Sequence, residues 1–167
     1  MKLKLEYHKQ AKGLSSCGPV CLKMIFEHLG KKYSERELIE LCDAVPNRGT
    51  SHKNMIDSVK KTGFFYFAKS NGSINELISY VKKGYPVIVN YLNPKSKRGH
   101  YSILIGIDEN GEKLTFADPS NGYGYKLGFK EFDRIWHNRK KTSWRWFLII
   151  NKEKILNPII LEDEAKE

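Results

Sequence analysis

Apolar residues in the first half of the chain recur at helical spacing. Cys21, Met24, Ile25, His28 and Leu29 follow the i, i+3, i+4, i+7, i+8 stripe of a buried helix, and Gly30 stands where a left-handed cap is wanted. Ser34 with Glu37 forms a capping box for a second helix that reaches about Cys42. Thr50 or Ser51 opens a third helix, which carries Met55, Ile56 and Val59 and stops at Gly63. Ser73 with Glu76 caps a fourth, ending at Gly84. The period changes in the second half. "PVIVNYL", "HYSILIGI" and "KLTFADP" are β-branched and aromatic runs bounded by turn residues, and "SWRWFLIIN" closes the set after a short helical stretch around Phe129 to Trp136. The pattern predicts an α+β fold: a helical half over about 1–84, then a mainly antiparallel sheet over about 85–151, in one domain spanning 1–155. Residues 156–167 end in "LEDEAKE" and read as a frayed acidic tail.

Composition narrows the class without naming a function. The chain has 167 residues, 40% of them hydrophobic and 29% charged, enough for a core without disulfide staples. Its start, "MKLKLEYHKQ", alternates charge with Leu and has no apolar signal region, and no stretch approaches the ~18 apolar residues of a membrane span. A soluble, cytoplasmic chain with no membrane span is expected. Cys17, Cys21 and Cys42 are odd in number and contain neither a C-x-x-C pair nor a four-ligand zinc set. Free thiols follow, with no metal or cofactor implied. The formal net charge of +10 admits an acidic ligand or a nucleic acid. Its basic residues come as short groups such as Lys31-Lys32, Lys60-Lys61, Lys82-Lys83 and Arg139-Lys140-Lys141, without the pattern of any nucleic-acid-binding motif. Solvated faces and helix ends account for most of them, and no nucleic-acid partner is expected.

The chemistry concentrates around "SSCGPVCLKMI". Pro19 suits the first turn of a helix, where its missing N–H would have lacked a partner anyway, so Cys17 falls at or just before a helix N-terminus. Unpaired backbone N–H groups and the positive end of the helix dipole favour a thiolate there. Gly18 is read as leaving room for a substrate backbone. Cys21 and Cys42 lack this setting and are expected in the core.

A nucleophilic cysteine needs a base. His28 shares the helix with Cys17 and lies about 16 Å along its axis, out of reach. His8, His52 and His137 read as surface or capping residues. His100 stands between the polar loop "KSKRG" and the apolar run "YSILIGI", at the rim of a core strand, a rigid place to hold a base.

An orienting group follows in "DENGEKLTFADPS". A three-residue loop, Glu109-Asn110-Gly111 with Gly111 left-handed, pairs Asp108 with Glu112 and sets Asp118 opposite Ser102, on the face of His100. A two-residue Asn110-Gly111 turn sets Asp118 opposite Ile103 instead, on the wrong face. Gln10, the only glutamine, lies seven residues before Cys17 and can donate to an oxyanion alongside the Cys17 N–H. Trp144 and Trp146 alternate with Arg145 and Phe147 on the last strand and are assigned to core packing.

Taken together, Gln10, "SCGPVCLKMI", "GHYSILIGID" and "FADPS" resemble the bacteriocin-processing peptidases, family thirty-nine of the cysteine peptidases, over roughly residues 5–150. The resemblance implies a papain-like fold, with Cys17 as nucleophile, His100 as general base and acid, Asp118 orienting the imidazole and Gln10 in the oxyanion hole. It implies a peptide or protein substrate cut after a Gly-Gly pair, and a separate export transporter as a partner. Transporter-linked members typically carry an acidic residue before the nucleophile, where this chain has Ser16, and their glutamine usually lies six residues upstream. The chain is therefore more similar to stand-alone relatives. Two other functions share these residues: acyl transfer to an amine through the same thioester, and a silent peptide-binding module.

Overall fold

The computed structural model describes residues 1–12 and 15–156; the "LEDEAKE" tail lies outside them. Four helices form where the capping signals stand. α1 spans Cys17–His28 with Ser16 at its N-cap. α2 (Glu35–Leu41) and α4 (Ile74–Lys82) both begin with complete capping boxes, at Ser34/Glu37 and Ser73/Glu76. α3 (His52–Thr62) begins at Ser51, whose side chain accepts from the Asn54 N–H, and ends at Gly63 in the left-handed conformation. α5 spans Phe129–Ile135.

The six strands are β1 (Phe65–Lys69), β2 (Val87–Leu92), β3 (Gly99–Asp108), β4 (Lys113–Asp118), β5 (Gly122–Gly128) and β6 (Phe147–Asn151). They form one sheet in the order β1-β6-β2-β3-β4-β5, and every pair is antiparallel. Two of these strands go beyond the sequence pattern. β1 lies inside the stretch read as helical and pairs only with β6, eighty-two residues away by register Phe67↔Ile149. β5, "GYGYKLG", is poor in β-formers and is held by its hairpin with β4.

Both faces of the sheet are covered. Val20, Met24, Phe26, Leu38, Met55 and Val59 from α1–α3 pack on Ile88, Ile103, Ile105 and Leu148. Leu77, Tyr80, Phe132 and Trp136 from α4 and α5 pack on Val89, Leu104, Phe116 and Ile149. α4 thus leaves the other N-terminal helices and joins the opposite layer. Burial on both sides explains why β2 and β3 read as unbroken apolar runs. Past Leu104, where β2 has no further partner for β3, the chain start takes over: Leu3 N–H donates to the Ile105 carbonyl (2.7 Å) and Ile107 N–H to the Met1 carbonyl (3.0 Å).

Gly18 has a different role from the one its sequence setting suggests. A Cβ there would come within 2.9 Å of Met55 Sδ, 3.2 Å of Tyr101 Cδ2 and 3.3 Å of Thr50 Cβ, so the missing side chain lets α1 seat against α3 and β3 and leaves no room for a ligand. Replacing Gly18 by Val overpacks this junction and is expected to cost about 1–3 kcal/mol of stability in urea unfolding. An unchanged midpoint would mean that the junction yields freely.

Candidate active site

Cys17 is the first residue of α1 and is partly exposed, whereas Cys21 and Cys42 are fully buried, as expected of core thiols. Burial pushes the Cys21 thiol well up, and pushes Cys42 up to about 11 despite a hydrogen bond from the Ser58 hydroxyl at 3.3 Å. Cys17 and His100 line the same cleft, and the Cys17 side chain is close enough to act on the charge of the His100 ring. His100 is the second residue of β3 and is 6% exposed. Its Nε2 meets Asp118 Oδ1 at 2.8 Å, which leaves Nδ1 as the ring nitrogen for the thiol.

The hairpin that brings His100 to Asp118 is built differently from either sequence alternative. The loop has four residues, with Asp108 paired to Lys113, and Glu112 is left-handed at φ 48° while Gly111 is not. A β-bulge between Leu104 and Gly106 then shifts the register by one, giving Ile103↔Ala117. Continuing that register sets Asp118 opposite Ser102. The longer loop and the bulge cancel, so His100 and Asp118 share a face as the three-residue loop requires.

Asp118 has no exposed surface. Its Oδ1 accepts from His100 Nε2 and from the backbone N–H groups of Ser120 (2.9 Å) and Asn121 (2.8 Å), and its Oδ2 accepts from the Tyr91 hydroxyl (2.6 Å). It is therefore both the Asp-Pro turn residue and the partner of the imidazole. Burial opposes its charge, but these donors, His100 foremost, hold the carboxyl well below the usual range. Burial likewise opposes charge on His100, and the hydrogen bond to Asp118 with the nearby Cys17 side chain overcomes it and pushes the imidazole up to about 10. Tyr91, missed in the sequence, also sets its ring edge-on to His100 with centroids 5.6 Å apart. Only the cross-strand register Tyr91↔His100 reveals it.

Gln10, Cys17 and His100 line one cleft of about 1420 Å³. Gln10 is carried there by the N-terminal segment, whose Tyr7 hydroxyl donates to the Asp118 carbonyl (2.8 Å) and whose Gln10 N–H donates to the Pro119 carbonyl (3.0 Å). Ser16, in the place of the acidic residue of transporter-linked members, is buried and donates its hydroxyl to Glu35 (2.8 Å).

Two histidines depart from the surface roles expected of them. His137 is buried, with Nδ1 2.7 Å from the Asn138 carbonyl. His52 lines the cleft and stacks flat on Trp146, with centroids 4.1 Å apart. Tyr101 donates its hydroxyl to the Thr50 carbonyl (2.9 Å), so His52 Nδ1–H donates to that same hydroxyl (2.7 Å) while Nε2 accepts from Ser143 (2.9 Å). Burial pushes His52 down to about 4, which keeps it in this neutral form. Trp146 packs in the core as expected, but Trp144 is exposed beside His137. Away from the cleft, Glu6, His8 and Glu27 converge, and Lys23 and His8 already engage the Glu27 carboxylate as an ion-pair group.

The profile of the peptidase C39-like family matches residues 2–144. The chain belongs to that family. No curated protein sequence matches it. Among solved structures, the peptidase domain of Streptococcus ComA, a bi-functional ABC transporter of a quorum-sensing pathway, is similar at 23% identity and TM-score 0.70, over 90% of this chain and 98% of that one. A double-glycine-motif protease from an AMS/PCAT transporter, solved with its leader peptide, is similar at 18% identity and TM-score 0.67, over 91% of this chain and 94% of that one. A C39-like chain from Bacillus anthracis gives 16% identity and TM-score 0.70, over 93% and 100%. The C39 fold is thus papain-like, and among the described residues no helix is long and apolar enough to cross a membrane.

Removing Asp118 should strip the site of its anchor. The His100 proton is held up to about 10 against an ordinary 6.5, so the pair's contribution is complete below 6.5 and fades as pH rises through 10. Asp118 is held below its ordinary 3.8, so the contribution also fades as pH falls beneath that value. Asp118→Ala is expected to lose about 3–5 kcal/mol in urea unfolding near pH 6. The gap to wild type should narrow toward pH 10, and a gap of constant size would show that the charge of the pair contributes nothing.

Proposed function

We propose that this C39-like chain is a cysteine peptidase that hydrolyses a peptide bond through a thioester on Cys17. The observation that carries the proposal is the hydrogen-bonded pair His100–Asp118 set beside Cys17 in a cleft that Gln10 also lines. His100, oriented by Asp118, takes the Cys17 proton, and the sulfur attacks the substrate carbonyl as a thiolate. The C–S bond forms as the carbonyl π pair moves onto oxygen, and that oxyanion is met by the Gln10 side chain and the Cys17 N–H at the open end of α1. Collapse breaks the C–N bond while His100 gives its proton to the departing amine. Water then attacks the thioester, His100 takes its proton, and a carboxylate leaves as the thiolate returns.

The likeness to leader-peptide proteases supports a substrate cut after a Gly-Gly pair, with an export transporter as the partner of the released peptide. The fold alone is shared at these identities, so the supporting weight rests on this chain's own cleft.

Iodoacetamide tests the nucleophile directly, since Cys21 and Cys42 serve as buried controls in the same molecule. Cys17 is expected to label fast and selectively, and His100→Ala to slow it; equal, slow labelling of all three thiols would refute the proposal and favour a silent binding module. On a Gly-Gly peptide, His100→Ala should cost about 10²–10⁴ in rate and Gln10→Ala about 10²–10³. A new amide in place of a free carboxylate when a good amine is supplied would reassign the chain to acyl transfer.

A further inference from the structure

The walls of the cleft carry cations of one sign only. Among the described residues Arg48, Lys95, Arg98, Arg139 and Lys140 all line it, and no Asp or Glu does. Among the described residues none of the five is in an ion pair, although Lys23, Arg36, Lys53, Lys69, Lys82 and Arg145 elsewhere on the molecule are. The five amount to half of the chain's formal net charge of +10.

They arrive on three separate loops, each given its shape by local hydrogen bonds. The turn bearing Arg48 closes through Gly49 N–H to the Val45 carbonyl (2.8 Å) and is tied to the approach to α1 by Asn47 N–H on Ser15 Oγ (3.1 Å). The loop bearing Lys95 and Arg98 is wound on Asn93, whose Oδ1 accepts from the Lys95 N–H (2.9 Å) and the Ser96 N–H (3.3 Å). The loop bearing Arg139 and Lys140 is wound on Asn138, whose Oδ1 accepts from the Thr142 N–H (2.9 Å) and the Ser143 N–H (3.2 Å), and His52 pins its far end through Ser143. Three formed loops from distant parts of the sequence thus bring unpaired positive charge to the rim of one cleft, where low-dielectric walls focus it.

We infer that this cleft selects an acidic polypeptide, with Asp or Glu side chains flanking the bond presented to Cys17. The inference rests on the peptidase reading for the bond, but the charge preference is a property of binding alone. A single-stranded nucleic acid is disfavoured, because such grooves need aromatic platforms for the bases, and among the described residues Tyr101 is the one Phe, Tyr or Trp lining this cleft and is 3% exposed.

Binding to Cys17→Ala protein separates the two ideas. The probes are three fluorescein-labelled peptides with a central Gly-Gly pair flanked on both sides by glutamates, by glutamines or by lysines, with oligouridine as competitor. The glutamate peptide should bind roughly tenfold tighter than the glutamine peptide, and the advantage should vanish in about 1 M salt. Arg98→Glu with Arg139→Glu, both exposed positions, should invert the order in favour of lysine. If that pair of changes unfolds the chain, Lys95→Ala with Lys140→Ala should still reduce the glutamate preference. Equal binding of the glutamate and glutamine peptides overturns the inference, as does oligouridine binding tighter than the glutamate peptide. Selective glutamate binding without cleavage by the wild type keeps the inference and removes the peptidase reading; cleavage without charge preference does the reverse.

Discussion

A carboxylate with no contact with water survives only when donors replace its hydration shell, and Asp118 meets that condition from four directions. His100 reaches it from β3, Tyr91 from β2, and two backbone N–H groups from the turn that Pro119 begins. The main chain beside it is engaged as well, since Tyr7 and Gln10 bond to the carbonyls of Asp118 and Pro119. One buried charge therefore fixes the imidazole, the strand register behind it and the segment that delivers Gln10. His100 and Gln10, which line the cleft with Cys17, thus hold their mutual positions through a residue that does not itself line it.

Much of this arrangement is legible in the sequence because it is local. Serine caps, the Gly63 stop and the strand-end position of His100 each depend on a few neighbouring residues, and each stands where its own chemistry puts it. The meeting of His100 with Asp118 is legible for a subtler reason. Register parity decides which face a side chain takes. A three-residue loop has the same parity as a four-residue loop followed by a one-residue bulge. The bulge itself leaves no mark in "SILIGI" beyond Gly106, where a Cβ would meet the Met1 carbonyl at 2.8 Å.

What the sequence hides is non-local. β1 is aromatic enough for a strand, but its partner is the last strand of the chain, and half of Phe65 stays exposed at the sheet edge. Tyr91 is indistinguishable from any apolar strand residue until β2 is laid against β3. His52 looks like a polar helix-start residue, and only the stacking of Trp146 and the Tyr101 and Ser143 hydroxyls make it a half-buried neutral link. Gly18 beside a nucleophile suggests space for a ligand, yet Met55 of α3, Tyr101 of β3 and Thr50 of the loop before α3 fill that space, none of them legible in the local sequence.

Charge behaves the same way. Arg139-Lys140-Lys141 and the scattered lysines read as solvated faces, since no linear pattern unites residues 48, 95, 98, 139 and 140. Folding unites them around Cys17. Their effect must differ in kind from that of the groups at the reacting centre. A cation that meets a flanking carboxylate does so equally before and during bond cleavage, so it lowers KM and leaves kcat alone. In the proposed reaction the Gln10 amide and the N–H groups at the start of α1 would meet an oxygen that becomes anionic only as the carbonyl is attacked, so their contribution would fall on kcat. Under the proposed function the loops and the helix start would divide the work: the rim would choose what enters, and the junction of α1 with the His100–Asp118 hairpin would act on the bond.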